Sequence, residues 1–226
     1  MALHQTAIRP GLYAITDNHL LPDERLIPAV EAAVQGGAVM VQYRDKAGSS
    51  TLRLKQARAL RSICDNAGVA LIINDDAELA RRVGAAGVHL GQTDGTPDAA
   101  RKLLGDHAII GVTCHADLEL ARRAVAAGAD YLAFGRFFAS ATKPDAPPAS
   151  ADVLGAARQF DRPVVAIGGI SLENGGRLVE AGADLLAVVG GLFGADDIEH
   201  RARKFCQLFE RTHTSSSSRH SPGFPL

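Results

Sequence analysis

The chain has 226 residues and a nearly balanced charge, with 24 Lys and Arg against 25 Asp and Glu. The formal net charge of −1 excludes a global basic field of the kind that attracts nucleic acid or a membrane surface. Any anion site must therefore come from the local placement of a few cations. A chain of this length can bury one substantial core, and abundant Gly and Ala with no Trp are typical of tightly packed α/β units.

Eight apolar runs of strand length alternate with helical segments along the chain. Several are continuous stretches of Val, Ile, Leu and Ala, which are typical of parallel strands covered on both faces. The predicted strands span residues 11–16, 39–46, 69–73, 88–90, 108–113, 131–134, 163–167 and 185–189. Helical spacing and capping residues predict helices over 22–35, 97–104, 117–127, 151–160, 171–181 and 196–211, with two more that end at Gly68 and Gly87.

This alternation predicts an α/β fold, a (β/α)8 TIM barrel that forms a single domain over residues 11–212. A doubly wound open sheet is the alternative, but the chain has no dinucleotide-binding fingerprint. Residues 1–10 form an N-terminal extension, and the Ser-rich residues 213–226 have the composition of a disordered tail.

The cysteines and the N-terminus bear on where the protein works. Cys64, Cys114 and Cys206 are scattered and form no Cys-x-x-Cys pair, which indicates free thiols in a reducing compartment. The N-terminal residues lack the basic and apolar regions of a secretory signal, and no apolar run approaches the ~20 residues that span a bilayer. The sequence predicts a cytoplasmic protein without a membrane segment.

In a barrel of this kind the active site lies at the carboxyl ends of the strands, so the polar residues after each apolar run are the candidates. The segment Gln42-Tyr43-Arg44-Asp45-Lys46 continues the second predicted strand, and its alternation directs Gln42, Arg44 and Lys46 to one face. The other candidates are Asn74, Asp75, Gln92, Asp94, Thr113, Ser140, Thr142, Lys143 and the pairs Gly168-Gly169 and Gly190-Gly191.

Carboxylates and cations on one rim fit a pyrophosphate held together with Mg²⁺. Arg44, Lys46 and Lys143 would face the phosphates, and Asp75 and Asp94 offer the hard oxygen ligands that Mg²⁺ prefers. The alternative for Asp75 is a helix N-cap, a role that the next residue could also take.

Several other residues keep two interpretations. The glycine pairs fit a second phosphate site built from backbone N–H groups, or turn geometry alone. His89 lies within the fourth strand and either faces the barrel mouth or is a satisfied interior histidine. The basic residues of the second helix, Arg53, Lys55, Arg58 and Arg61, are expected on a solvated face, and Cys114 is expected to be a small buried hydrophobe.

Five motifs between Leu12 and Leu192 occur in an order and at strand ends that resemble the thiamine phosphate synthase family. They are Gln42-x-Arg44-Asp45-Lys46, Ile73-Asn74-Asp75, Val88-His89-Leu90-Gly91-Gln92-x-Asp94, Thr142-Lys143 and Ile167-Gly168-Gly169-Ile170 followed by Asn174. Each motif alone is a modest signal, and together they are specific.

The resemblance implies a (β/α)8 transferase that joins hydroxymethylpyrimidine pyrophosphate to thiazole phosphate, releasing pyrophosphate through a dissociative mechanism. It implies Mg²⁺ on Asp75 and Asp94, and catalytic roles for Arg44, Lys46 and Lys143. The implied substrate-binding residues are Gln42, Arg44, Lys46, Asn74, Thr113, Ser140, Thr142, Lys143, Gly169, Val189 and Gly190. The expected partners are the two small-molecule substrates, with assembly into a homo-oligomer left open.

The chain departs from the family pattern at a few positions. Asp76 stands where an arginine is usual, Arg136 replaces a common proline, Ser140 a common threonine, and Gly190 a common serine. Three other functions compete with the synthase. They are the same-fold thiazole tautomerase, a phosphosugar aldolase that uses Lys143 as a Schiff-base amine, and a non-catalytic binder of thiamine intermediates.

Overall fold

A closed barrel of eight parallel strands forms the body of the protein. The computed structural model describes residues 8–139 and 148–216, and for residues 211–216 the backbone only. Each strand pairs with its neighbour in the chain, and the last pairs with the first. The strands are β1 Gly11–Ile15, β2 Met40–Tyr43, β3 Ala70–Asn74, β4 Gly87–Leu90, β5 Ile109–His115, β6 Tyr131–Phe134, β7 Val164–Ile167 and β8 Leu185–Val188. The predicted (β/α)8 barrel is confirmed.

Helices follow the strands and cover the outside of the barrel. They are α1 Asp23–Gln35, α2 Ser50–Ala67, α3 Ala77–Val83, α4 Pro97–Leu104, α5 Leu118–Ala126, α6 Asp152–Ala157 with the 3₁₀ turn Arg158–Phe160, α7 Leu172–Glu180, α8 Gly190–Phe193 and α9 Ile198–Ser216. In the part of the chain that the structure describes, no helix is long and apolar enough to cross a membrane.

The last two helices differ from the prediction. The short α8 begins at Gly190, where the glycine pair suggests a turn. The final helix continues past Arg211 to Ser216, so it enters the segment predicted as a disordered tail. Residues 1–7 and 217–226 lie outside the described residues, and the domain boundaries therefore stay predictions.

The second strand is shorter than the sequence pattern suggests, and the prediction of a strand over residues 39–46 is wrong after Tyr43. The backbone N–H of Arg44 donates to the Thr16 hydroxyl at 2.9 Å. Asp45 then accepts hydrogen bonds from the backbone N–H groups of Ala47 and Gly48, both at 2.9 Å. An Asp side chain bonded to the backbone two and three residues ahead stabilises a turn. Arg44 and Lys46 therefore lie on a loop at the barrel mouth.

Side chains that point inward fill the barrel with a core of its own, separate from the apolar layer between strands and helices. Tyr13 and Tyr131 are its largest members, and their rings meet edge to face with centroids 6.0 Å apart. Gly111 makes room for one of them, because a Cβ atom there would lie 1.9 Å from Cζ of Tyr131. Just above this layer, Gln42, His89 and Thr113 are buried polar residues.

The cysteines are free. Cys64 and Cys114 are fully buried, and this burial raises the pKa of each thiol to about 12. A thiol that stays protonated at neutral pH is a poor nucleophile and a poor metal ligand. The prediction that Cys114 serves as a small buried hydrophobe is confirmed.

Candidate active site at the barrel mouth

A cavity of about 440 Å³ opens where the loops after β2 and β3 meet. Its wall combines cations, carboxylates and an amide: Lys46, Arg53, Asn74, Asp75 and Asp76. The ends of β2 and β3 are neighbours in the barrel, with Gln42 paired to Ile72 and Tyr43 to Ile73. Because the loops follow directly from paired strands, their polar groups share one rim, as the strand-end rule predicts.

Asp75 lies at the centre of this rim. Its carboxylate is 3.3 Å from Nζ of Lys46, and its backbone N–H donates to the carbonyl of His89 at 2.8 Å. The residue has a φ of 64°, in the left-handed region that Asp and Asn tolerate best among non-glycine residues. This conformation lets the chain leave β3 and hold the carboxylate at the mouth.

The carboxyl group of Asp94 lies against that of Asp75. Burial and then the contact with Asp75 raise the pKa of Asp94. The loop after β4 holds the side chain, because Asp94 accepts a hydrogen bond from the backbone N–H of Gly91 at 3.0 Å. Two carboxyl groups brought together by separate strands repel each other unless a proton or a cation lies between them.

This pair fits a magnesium ion that is shared with a phosphorylated ligand. Within residues 8–139 and 148–216, no group of three or more His, Cys, Asp or Glu side chains is arranged to hold a metal. Mg²⁺ is commonly held by one or two carboxylates, with substrate phosphates and water completing its six positions. The carboxylates of Asp75 and Asp94 are hard oxygen donors of the kind that fit Mg²⁺.

Asp76, and not Asp75, caps the helix that follows. Asp76 accepts a hydrogen bond from the backbone N–H of Leu79 at 2.8 Å, at the start of α3. Its other carboxylate oxygen pairs with Arg53 at 3.1 Å. The alternative that Asp75 caps this helix is therefore wrong, and its carboxylate lies at the rim.

Arg53 is a rim residue that the sequence analysis misses. The prediction of a solvated face holds for Lys55 and Arg58, which are exposed, but it is wrong for Arg53, whose side chain is 26 % exposed and lines the cavity. Its Nε atom is buried and has no hydrogen-bond partner among the described residues. The signal available in the sequence was its position at the start of α2, the end of the helix that faces the barrel mouth.

Asp17, two residues after the end of β1, is a second residue that the sequence analysis misses. Its carboxylate pairs with Arg44 at 3.1 Å, and the two side chains are 11 % and 13 % exposed. Asp17 also accepts from the backbone N–H of His19 at 3.1 Å. The strand-end rule that singles out the other acids applies equally to Asp17, so its position was available as a signal.

The glycine pair after β7 meets the loop after β6. Gly169 has a φ of 64°, and a Cβ atom there would lie 2.3 Å from the carbonyl oxygen of Ala139. Close approach thus requires glycine at this position, as the turn alternative states. Val189 precedes α8, and a Cβ atom at Gly190 would have room, with Leu20 as its nearest neighbour at 3.9 Å.

A family model described as thiamine monophosphate synthase matches residues 12–192. The chain belongs to this family. Curated relatives named thiamine-phosphate synthase are 60 % identical over 215 residues in Marinobacter nauticus and 54 % identical over 204 residues in Alcanivorax borkumensis. These matches cover 94 % and 88 % of this chain, and 97 % and 94 % of the relatives.

A solved thiamine phosphate pyrophosphorylase from Pyrococcus furiosus shares the fold with a TM-score of 0.82 and 30 % sequence identity. The match covers 90 % of this chain and 97 % of the solved one. Membership of the thiamine monophosphate synthase family confirms the resemblance that the five motifs indicate, together with the predicted enzyme class, a transferase of thiamine biosynthesis.

The thiamine monophosphate synthase fold brings many of the predicted site residues to one end of the barrel. The rim holds Arg44, Lys46, Asn74, Asp75 and Asp94. Gln42, His89 and Thr113 lie deeper, where both ring nitrogens of His89 are within hydrogen-bond distance of other side chains, as expected of a satisfied interior histidine. Ser140, Thr142 and Lys143 lie outside the described residues, so their places stay predictions.

Proposed function

We propose that the rim binds the pyrophosphate of 4-amino-2-methyl-5-hydroxymethylpyrimidine pyrophosphate and that coupling to thiazole phosphate, or to its carboxylate, follows there. The observation that carries this proposal is the contact of Lys46 with Asp75, beside Asp94. A cation and a carboxylate pair on one rim complement a pyrophosphate bound together with a divalent ion. The products are thiamine monophosphate and pyrophosphate.

The proposed mechanism is dissociative. The methylene C–O bond breaks first, its electron pair leaves with the pyrophosphate oxygen, and the lone pair of the thiazole nitrogen then forms the new C–N bond. Such a reaction needs stabilisation of the departing anion more than a strong general base. Arg44 and Lys46 supply positive charge at the described rim, and we assign the same role to Lys143.

Mg²⁺ is the proposed cofactor, with Asp75 and Asp94 as the residues that would hold it. When bound, it supplies charge neutralisation to the leaving pyrophosphate. The paired carboxylates support this assignment, because the contact of Asp94 with Asp75 places two hard oxygen donors side by side on the rim.

The remaining substrate contacts follow from position in the barrel. Gln42 and Thr113 lie below the rim and would face the pyrimidine, and Asn74 lines the cavity beside the pyrophosphate. The other proposed contacts are Ser140, Thr142, Lys143, Gly169, Val189 and Gly190. A cytoplasmic location and a homo-oligomer stay predictions of the sequence.

A coupling assay with both phosphorylated substrates tests the function directly. Product formation is expected with Mg²⁺, is expected to stop after chelation, and is expected to return when Mg²⁺ is restored in excess. Chromatography with mass detection identifies thiamine monophosphate. Binding of both substrates without product would instead indicate a non-catalytic binder, and conversion of the thiazole without the pyrimidine would indicate a tautomerase.

Arg53 gives a sharper test of where the pyrophosphate binds. We expect Arg53→Gln to raise KM for the pyrimidine pyrophosphate about fivefold with little change in kcat, since a partly exposed charge contributes about 1 kcal/mol. Arg58→Gln is the matched control, because Arg58 is exposed on the same helix. Steady-state kinetics measure both variants. Equal KM values for the two would remove Arg53 from the pyrophosphate site.

A further inference from the structure

A continuous chain of hydrogen bonds crosses the interior of the barrel below the rim. The amide nitrogen of Gln42 donates to the Tyr13 hydroxyl at 2.7 Å, and that hydroxyl lies 2.9 Å from the hydroxyl of Tyr131. The Tyr131 hydroxyl lies 2.9 Å from Nδ1 of His89, whose Nε2 is 2.8 Å from the Thr113 hydroxyl. Five side chains from five different strands are thus connected in series.

The chemistry of each group fixes the direction of this chain. An amide nitrogen can only donate, so the hydroxyl of Tyr13 accepts from Gln42. That hydroxyl oxygen could also accept from Tyr131, but the buried proton of Tyr13 would then have no acceptor among the described residues, so we assign Tyr13 as the donor to Tyr131. The Tyr131 hydroxyl then donates to Nδ1 of His89, which makes the imidazole neutral with its proton on Nε2. That Nε2–H donates to the hydroxyl of Thr113, whose own proton remains to be donated onward.

The two tyrosines keep the protons that this series requires. Burial raises the pKa of both hydroxyls well above the ordinary value for tyrosine. Each hydroxyl therefore carries one proton at neutral pH, and each can donate only one hydrogen bond. Every hydrogen bond in the series is therefore donated in the direction from Gln42 towards Thr113.

We propose that Tyr13 and Tyr131 are positioning residues that orient the Gln42 amide and select the Nε2–H tautomer of His89, so that the site offers an acceptor at Gln42 and a donor at Thr113. One N–H of the Gln42 amide is donated to Tyr13, which fixes the orientation of the amide, and its carbonyl oxygen can accept from a ligand. This inference rests on the proposed function, since it assigns how the pyrimidine is recognised.

An aminopyrimidine matches this arrangement. Its exocyclic amine donates hydrogen bonds, and the neighbouring ring nitrogen accepts one. In the 4-oxo analogue both roles are reversed, because the carbonyl accepts and the adjacent ring nitrogen carries a proton. Because the hydrogen bonds of the site run in one direction, binding of the 4-oxo analogue leaves buried polar groups unpaired. Such mismatches support discrimination of about 10²-fold or more. The hydrogen-bond chain thus determines specificity for the amino form.

The surrounding rings allow the hydroxyl of Tyr131 to be removed without moving its ring. Tyr131 stacks on the His89 ring at 5.6 Å with an interplanar angle of 20°, and it meets Tyr13 edge to face. These contacts and the space at Gly111 are retained in Tyr131→Phe. Tyr43→Phe is a matched control, because the Tyr43 hydroxyl forms hydrogen bonds with Gln56 and Asp45, which are not part of the hydrogen-bond series from Gln42 to Thr113.

The tautomer of His89 is the first readout. In ¹⁵N NMR of histidine-labelled full-length protein, with the signal assigned by its loss in His89→Gln, we expect a neutral ring protonated on Nε2. Tyr131→Phe is expected to shift these resonances, and Tyr43→Phe is expected to leave them unchanged. An Nδ1–H ring or an imidazolium at neutral pH in the parent protein would overturn the inferred direction. This measurement needs no turnover, so it stands apart from the proposed function.

Substrate discrimination is the second readout. The parent protein is expected to prefer the amino over the 4-oxo pyrimidine pyrophosphate by about 10²-fold in kcat/KM. Tyr131→Phe is expected to lower this preference at least about tenfold, through KM for the pyrimidine, with KM for thiazole phosphate unchanged. An unchanged preference in Tyr131→Phe would overturn the positioning role. Tyr13→Phe breaks the same series one step earlier and replaces Tyr131→Phe if that variant fails to fold.

Discussion

Asp75→Asn is expected to lower kcat/KM for coupling by about 10²–10³-fold, because it removes a carboxylate that would hold the Mg²⁺ proposed to neutralise the leaving pyrophosphate. Asp75 contacts both Lys46 and the carboxyl of Asp94, so its charge affects the cation and the proposed metal position together. The Mg²⁺ concentration that gives half-maximal activity is expected to rise in the variant. Initial rates measured across a Mg²⁺ titration test both expectations.

Substitution by Asn removes the charge of Asp75 without adding backbone strain. Asp75 has a φ of 64°, a conformation that Asn adopts readily but that costs Ala about 1 kcal/mol or more. Glu78→Gln is the control, because Glu78 is exposed on the next helix and pairs only with its neighbour Arg81 in the described part of the chain. It removes the same charge nearby and is expected to leave kcat/KM unchanged. Near-normal turnover in Asp75→Asn would remove Asp75 from the metal site.

The sequence predicts the barrel well because its strands are continuous apolar runs, and a parallel strand buried on both faces needs such a run. Predictions failed where side chains bond the local backbone. The alternation of Gln42, Arg44 and Lys46 extends the pattern of a strand, yet the Asp45 side chain turns the chain after Tyr43. Periodicity carries no information about that competing hydrogen bond.

The sequence predicts those site residues that lie at or just after the ends of strands. Asp75 comes directly after β3 and Asp94 lies in the loop after the neighbouring β4, and the structure brings them into contact. Arg53 could not be placed in this way, because it reaches the rim from a helix and its direction depends on how that helix packs. The interior series through Tyr13 and Tyr131 depends on strand stagger around the closed barrel, which no local pattern specifies.

The ion pair of Arg44 and Asp17 gives the second large effect. Arg44→Gln is expected to lower the free energy of unfolding by about 2–3 kcal/mol, because it leaves the Asp17 carboxylate, which is 11 % exposed, without its cation. It is also expected to lower kcat/KM by about 10²-fold through loss of an anion contact. Urea unfolding and steady-state kinetics measure the two losses separately.

A double variant distinguishes a structural role of Arg44 from a role in binding. Asp17→Asn alone removes the charge that orients the guanidinium, so KM for the pyrimidine pyrophosphate is expected to rise while kcat changes little. When Asp17→Asn is added to Arg44→Gln, no unpaired carboxylate remains, and much of the lost stability is expected to return. The lost kcat/KM is not expected to return, because pyrophosphate binding needs the guanidinium itself. Recovery of both quantities in the double variant would show that Arg44 only supports the loop, and Lys46 would then be the main cation at the described rim.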